Sequence, residues 1–196
     1  MPLIYTNATY ALLFVFVFLS WAMSELLGPV RWSSHAKQGK RRDRRSLLLS
    51  VVSGGAGVIF ALAFPFLLPT ANIPQAPLFF VGMACVALGV GWRWYAILTL
   101  GRYFTAEVII QERQTVVTSG PYHYVRHPSY IGVLVIVAGL GLMLENWASV
   151  LLIVAGLFFP LLYRMNIEEH AMIEAFGEEY TQYMRRTRWQ LIPFVF

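Results

Sequence analysis

The sequence predicts an all-α integral membrane protein, with about five transmembrane helices and a C-terminal helical segment on the cytoplasmic side. Three observations lead there. Apolar residues make up 58 % of the 196-residue chain and charged residues only 13 %, whereas a soluble domain carries roughly 25 % charge. The apolar residues gather into runs long enough to cross a bilayer. All fifteen Lys and Arg residues fall on one side of a five-span arrangement: seven in residues 31–45, four between Arg93 and Arg126, and four from Arg164 onward. That is the asymmetry of cytoplasmic loops. The length suits one domain, split between three N-terminal spans in residues 1–100 and a region, 101–196, that carries the polar motifs.

The first span reads from Tyr10 to Leu27 and is followed by Pro29. Its first basic neighbour, Arg31, comes after the apolar run instead of before it, so the run reads as a retained anchor and not as a cleaved signal. Residues 31–45 then place seven cations in one loop, and the net charge of +5 points to anionic lipid headgroups, with no nucleic-acid partner. Leu47 to Leu68 is a second span in which Ser53, Gly54, Gly55 and Gly57 offer a flat packing face. Residues 69–77, PTANIPQAP, hold three prolines and no charge, as an extracytoplasmic turn does. Leu78 to Leu98 is the third span, closing on Trp92, Arg93, Trp94 and Tyr95 at the membrane interface.

From Gly101 to Ser119 polarity rises, and EVIIQERQTVVT is too short to tell a strand from an irregular arm. Ile131 to Leu144 and Ala148 to Tyr163 are two short spans around Glu145-Asn146-Trp147, expected to form a tilted hairpin bent at Pro160. A helix should emerge from the last span at Arg164, to be ended or kinked by Gly177. The lone Cys85 sits in an apolar run, so neither an intrachain disulfide nor a thiolate cluster is expected.

Two polar stretches stand out against this background. Thr118 to Tyr130, TSGPYHYVRHPSY, is broken at Gly120-Pro121 and His127-Pro128, because proline lacks an amide hydrogen and keeps its predecessor out of the α region. Between the breaks lie Tyr122, His123, Tyr124, Arg126 and His127, a dense supply of donors and π faces. The second stretch runs from Arg164 to Tyr183. Arg164 and Glu168, at i and i+4, share one helix face, which by itself is equally the pattern of an interfacial ion pair. His123 and His127 have the same spacing, but Pro128 follows directly and no third ligand is evident, so no metal is expected. Gly54-Gly55-Ala56-Gly57 lacks the lysine of a phosphate-binding loop.

Gly120-Pro-Tyr-His-Tyr-Val-Arg-His-Pro-Ser-Tyr130, followed after a hairpin by Arg164, Glu168-Glu169, Phe176-Gly177-Glu178-Glu179-Tyr180 and Tyr183, resembles the isoprenylcysteine carboxyl methyltransferase family over about residues 101–196. The resemblance implies S-adenosylmethionine as cofactor, held by Gln114, Thr115, Val116, Val117, Tyr122, His127, Pro128, Ser129, Tyr130 and Glu168. It implies Arg164 as the residue that orients the acceptor, and Arg126 is a second catalytic candidate. Gln114 departs from the histidine common among relatives. The implied acceptor is a prenylated or similarly lipophilic carboxylate entering from the bilayer. The alternatives are a phospholipid amine, a thiol, or an NADPH-dependent membrane reduction. The implied location is a multi-pass position in the cell membrane of a prokaryote or the endoplasmic reticulum of a eukaryote, with the site facing the cytoplasm.

The charge asymmetry carries a topological prediction. In a Cys85→Ala background, a cysteine placed in residues 69–77 should react with an impermeant maleimide on intact cells, and one placed in 31–45 only after permeabilisation. The reverse pattern would overturn the five-span orientation.

Overall fold

The structure, a computed structural model, describes residues 1–36, 40–43, 45–111 and 113–192; residues 37–39 and 44 of the basic loop lie outside this set. A short helix α1 (Leu3–Thr6) leads into α2 (Ala8–Ala36). A strand β1 (Lys40–Asp43) precedes α3 (Arg45–Leu67), and a single 3-10 turn at Pro69–Ala71 leads to α4 (Ala76–Leu100). Strand β2 (Val108–Ile110), a 3-10 turn at Gly120–His123, α5 (Pro128–Met143), α6 (Trp147–Phe176) and α7 (Glu178–Arg186) complete the chain.

Among the described residues, four helices are long and apolar enough to cross a membrane: Ala8–Leu27, Arg45–Leu67, Ala76–Tyr103 and Trp147–Phe176. The shorter apolar helix, α5, has 16 residues, about 24 Å at 1.5 Å per residue and short of a roughly 30 Å hydrocarbon core. Large apolar side chains such as Leu12, Phe16, Ile59, Leu88 and Phe159 point outward. A bilayer solvates that surface without penalty, and the protein is an integral membrane protein.

α5 is the central helix, packed against α4 on one side and α6 on the other. Its contact with α4 is made by two facing pairs of glycines. A Cβ on Gly82 would lie 2.5 Å from the Gly139 carbonyl oxygen, and one on Gly139 would lie 2.6 Å from that of Gly82. One turn-pair along, a Cβ on Gly132 would lie 2.8 Å from the Gly89 carbonyl oxygen. The backbones touch there because neither helix has a side chain between them. The glycines of α3 play a milder part: Gly57 meets the Ile153 backbone at ordinary contact distance, and Gly55 faces open space.

The expected short fifth span is instead the first half of one continuous helix. α6 runs 30 residues through Pro160, so Arg164, Glu168 and Glu169 ride on the same rod that crosses the membrane. Gly177, at φ +53, ends α6 and opens α7. Within EVIIQERQ, Val108–Ile110 forms β2, which pairs antiparallel with β1 from the basic loop. At the opposite end, the Asn146 side chain caps α6 by accepting from Ser149 N at 2.9 Å and also donates to Asn72 Oδ1 at 2.8 Å. That tie fixes the α5–α6 turn to the 69–77 turn.

Gly139→Val should therefore lower stability by about 1–3 kcal/mol or more through overpacking, whereas Gly91→Ala, at a position with nothing within 4 Å of an added Cβ, should be neutral. Thermal unfolding in a fixed detergent or nanodisc distinguishes the two.

Candidate functional site

The polar residues of both stretches converge at one end of α5 and α6. Arg164 is only 5 % exposed and is surrounded by acceptors. Its Nε donates to the Tyr130 hydroxyl at 2.7 Å and lies 3.1 Å from Glu168 Oε1. Nη2 donates to the Ala106 carbonyl at 2.6 Å, and Nη1 makes a long 3.4 Å contact with Ser46 Oγ. The Tyr130 hydroxyl in turn donates a short bond to Glu168 Oε1. Tyr130 thus bridges the two charged residues that lie one turn apart on α6.

His127 continues the chain of contacts. Its ring stacks on that of Tyr130, centroids 5.6 Å apart and 16° from parallel. Nδ1 is 3.5 Å from Glu168 Oε2, and Nε2 is 3.2 Å from Glu169 Oε1. Burial alone lowers the proton affinity of this imidazole, but the two carboxylates flanking it more than reverse that, and its pKa lies above the ordinary value. Burial also pushes the phenols of Tyr122, Tyr180 and Tyr183 above their usual range, so they remain neutral.

Arg126, the second catalytic candidate of the sequence, bonds to Glu169 and to the chain after α7. Its Nε donates to Glu169 Oε1 at 2.7 Å, and Nη1 donates to the carbonyls of Thr187 and Arg188 at 2.9 and 2.6 Å. The amides of Arg126 and His127 donate to Trp189 and Gln190 carbonyls, both at 2.9 Å. Gln190 Nε2 reaches Glu169 Oε2 at 3.0 Å, and the Tyr183 hydroxyl donates to the Tyr122 carbonyl at 2.8 Å. The loop between the two prolines is stitched to the chain after α7.

The remaining sequence candidates divide. Pro128 and Ser129 are buried in the first turn of α5, next to Tyr130. Gln114 reaches α6 only through a 4.0 Å contact of Nε2 with Met172 Sδ. Thr115 is exposed and Val116 and Val117 are half-buried; among the described residues no hydrogen bond ties these three to the Arg164–Glu168 cluster. His123 is exposed while His127 is buried. Ser46, Ala106 and Gln190 come to the site from distant segments. For Ser46 a signal exists in Asp43, whose carboxylate caps α3 by accepting from Arg45 N and Ser46 N. Ala106 acts through its backbone and has no signal at all.

Residues 81–174 match the isoprenylcysteine carboxyl methyltransferase family. The chain is similar to that family over these residues. The family region thus begins within α4 and ends within α6, taking in Arg164, Glu168 and the whole 120–130 loop. Protein-S-isoprenylcysteine O-methyltransferase B of Arabidopsis thaliana is 35 % identical over 116 residues, 58 % of each chain. The protein-S-isoprenylcysteine O-methyltransferase of Schizosaccharomyces pombe is 33 % identical over 145 residues, 71 % of this chain and 61 % of the relative. The chain therefore spans about three fifths of the length of those two relatives. The solved structure of a eukaryotic intramembrane Ras methyltransferase superposes with a TM-score of 0.60 at 26 % identity, over 76 % of this chain and 52 % of the other. A hollow of about 310 Å³ lies at the opposite end of the bundle, lined by residues including Ile73, Leu142, Trp147 and Val150. It has no ionisable group and is unrelated to the polar cluster.

The histidine supplies a pH prediction. An imidazole whose pKa is higher in the folded than in the unfolded state stabilises the fold fully below the unfolded value, about 6.5. It loses that contribution as pH rises through the folded value. Thermal stability should thus fall as pH is raised above about 6.5, and His127→Asn should flatten the dependence. A wild-type profile that rises over this range would contradict it.

Proposed function

We propose that the protein transfers a methyl group from S-adenosylmethionine to the carboxylate of a lipophilic, prenylcysteine-like acceptor. The observation that carries this reading is the Arg164–Tyr130–Glu168 cluster, a cation and an anion one helical turn apart with a phenol between them. Glu168 suits a cofactor rich in hydroxyl and amino donors, because its side chain is 24 % exposed against 6 % for Arg164 and 8 % for Glu169. Of these charged groups it is the one with an open side. Bound there, S-adenosylmethionine supplies an electrophilic methyl group on a sulfonium centre.

The protein's own residues then have a limited task. A carboxylate is already ionised near neutral pH and needs no general base, so alignment and exclusion of water account for the rate. Arg164 orients the acceptor carboxylate, which takes over the positions now held by the Ala106 carbonyl and Ser46 hydroxyl at Nη2 and Nη1. Tyr130 holds the guanidinium at Nε and the Glu168 carboxylate in fixed relation. Tyr122, His127, Pro128 and Ser129 line the cofactor's side, with Gln114, Thr115, Val116 and Val117 at its margin. Arg126 holds the tail over the loop and does not touch the acceptor.

An amine or thiol acceptor fits less well, since it needs a proton acceptor. The nearby imidazole has both ring nitrogens facing the carboxylates of Glu168 and Glu169. The apolar outer surface supports entry of a lipid tail from the bilayer, and the one-sided basic residues support a site facing the cytoplasm.

Two substitutions separate cofactor from acceptor. Glu168→Gln should weaken S-adenosylhomocysteine binding by about 1.5–3 kcal/mol, the value of a charge-assisted hydrogen bond. Arg164→Lys keeps the charge but not the planar two-point contact. It should lower methyl transfer at least about tenfold, roughly 1.4 kcal/mol, with cofactor affinity largely kept. Wild-type turnover by a folded Arg164→Lys variant, or a strong preference for amine or thiol acceptors, would refute carboxyl methylation.

A further inference from the structure

Beyond the cluster itself, the first turn of α5 is gripped from the side by residues of two other helices. Arg93, near the end of α4, donates from Nη2 to Glu25 Oε2 at 2.6 Å, and its Nε lies 2.6 Å from Glu25 Oε1. Glu25, on α2, also accepts from Trp21 Nε1 at 3.2 Å. It is the only acidic residue before Asp43. The third arm of Arg93, Nη1, donates to the Ser129 carbonyl at 3.2 Å, and neighbouring Trp92 Nε1 donates to the Pro128 carbonyl at 2.9 Å. A Cβ on Gly132 would lie 2.7 Å from Arg93 Cβ, so the first turn of α5 rests directly on the arginine's stem.

We propose that Glu25 and Arg93 are positioning residues, an ion pair inside the bundle that sets the height and rotation of the α5 first turn and so presents the Tyr130 hydroxyl between Arg164 and Glu168. The proposal rests on the reading of that cluster as the transfer site. Two features argue against a purely cohesive role. α4 and α5 are already joined backbone to backbone by Gly82, Gly89, Gly132 and Gly139, so their cohesion does not require the bonds from Trp92 and Arg93. The bonds from Trp92 and Arg93 end on the carbonyls of Pro128 and Ser129, the two residues immediately before Tyr130. A displacement of about 1 Å at this turn would break the 2.7 Å bond from Arg164 Nε and is enough to impair a transfer that depends on alignment. Glu25 fixes the direction of the guanidinium, which leaves Nη1 aimed at α5.

The test uses the fact that breaking an internal ion pair leaves a lone charge, whereas replacing both members by neutral groups is often harmless to stability. Arg93→Met and Glu25→Gln alone should lower the unfolding temperature of the full chain in nanodiscs, and the double variant should regain it. Despite that recovery, the double variant should show faster amide exchange across residues 127–132 and at least about tenfold weaker S-adenosylhomocysteine binding and methyl transfer. If affinity and turnover return together with thermal stability, or if exchange in 127–132 is unchanged, the pair is only cohesive and the proposal fails. Should the double variant not fold, Arg93→Lys keeps the charge for Glu25 and gives up the arm to Ser129, and the same readouts decide. Amide exchange needs no ligand, so a wild-type protein that failed to bind S-adenosylhomocysteine would refute the methyltransferase reading while the clamp was still judged.

Discussion

A guanidinium held at the end of an apolar helix bundle has to be surrounded by acceptors, since a buried charge without partners costs several kcal/mol. Arg164 meets this by drawing on four separate segments: Tyr130 from α5, Glu168 from its own helix, Ser46 from α3, and the Ala106 carbonyl from the arm after α4. Each of those segments has its own reasons for its shape, yet their common meeting point is this one side chain. The polar end of the bundle is organised by satisfying it.

The same requirement propagates outward. Glu168 and Glu169 each bring a carboxylate to the face of α6, and His127 sits between them with a raised proton affinity. Glu169 then needs further donors and takes them from Arg126 and Gln190. Arg126 in turn spends its remaining arm on the carbonyls of Thr187 and Arg188. The loop 120–127, α6 and the chain after α7 therefore form one connected network. Removing a partner from such a network costs more than the net value of its bond, because it leaves a buried group unsatisfied.

The apolar part of the bundle works by the opposite means. α4 and α5 approach through glycines and not through hydrogen-bonding side chains, which suits a setting where lipid solvates apolar side chains as well as a partner helix does. Backbone contact gives a rigid, ungreased seam. On that seam the few bonds from Trp92 and Arg93 to α5 act only at the polar end, where the height of Tyr130 matters.

Composition, apolar run lengths and charge asymmetry were enough to establish a helical membrane protein, because a lipid environment leaves the backbone few options. The loop motif and the i, i+4 pair at Arg164 and Glu168 were also legible, since proline and helical spacing are local signals. Three things were not. β1 pairs with β2 across about 70 residues of chain, a partnership no short window contains. Arg126 bonds to Glu169 and to the tail about 60 residues away, and Ala106 reaches Arg164 through a carbonyl that every residue type possesses. Local patterns decide which segments are helical and which residues carry charge; which charge meets which acceptor is a matter of long-range packing, and only the folded chain decides it.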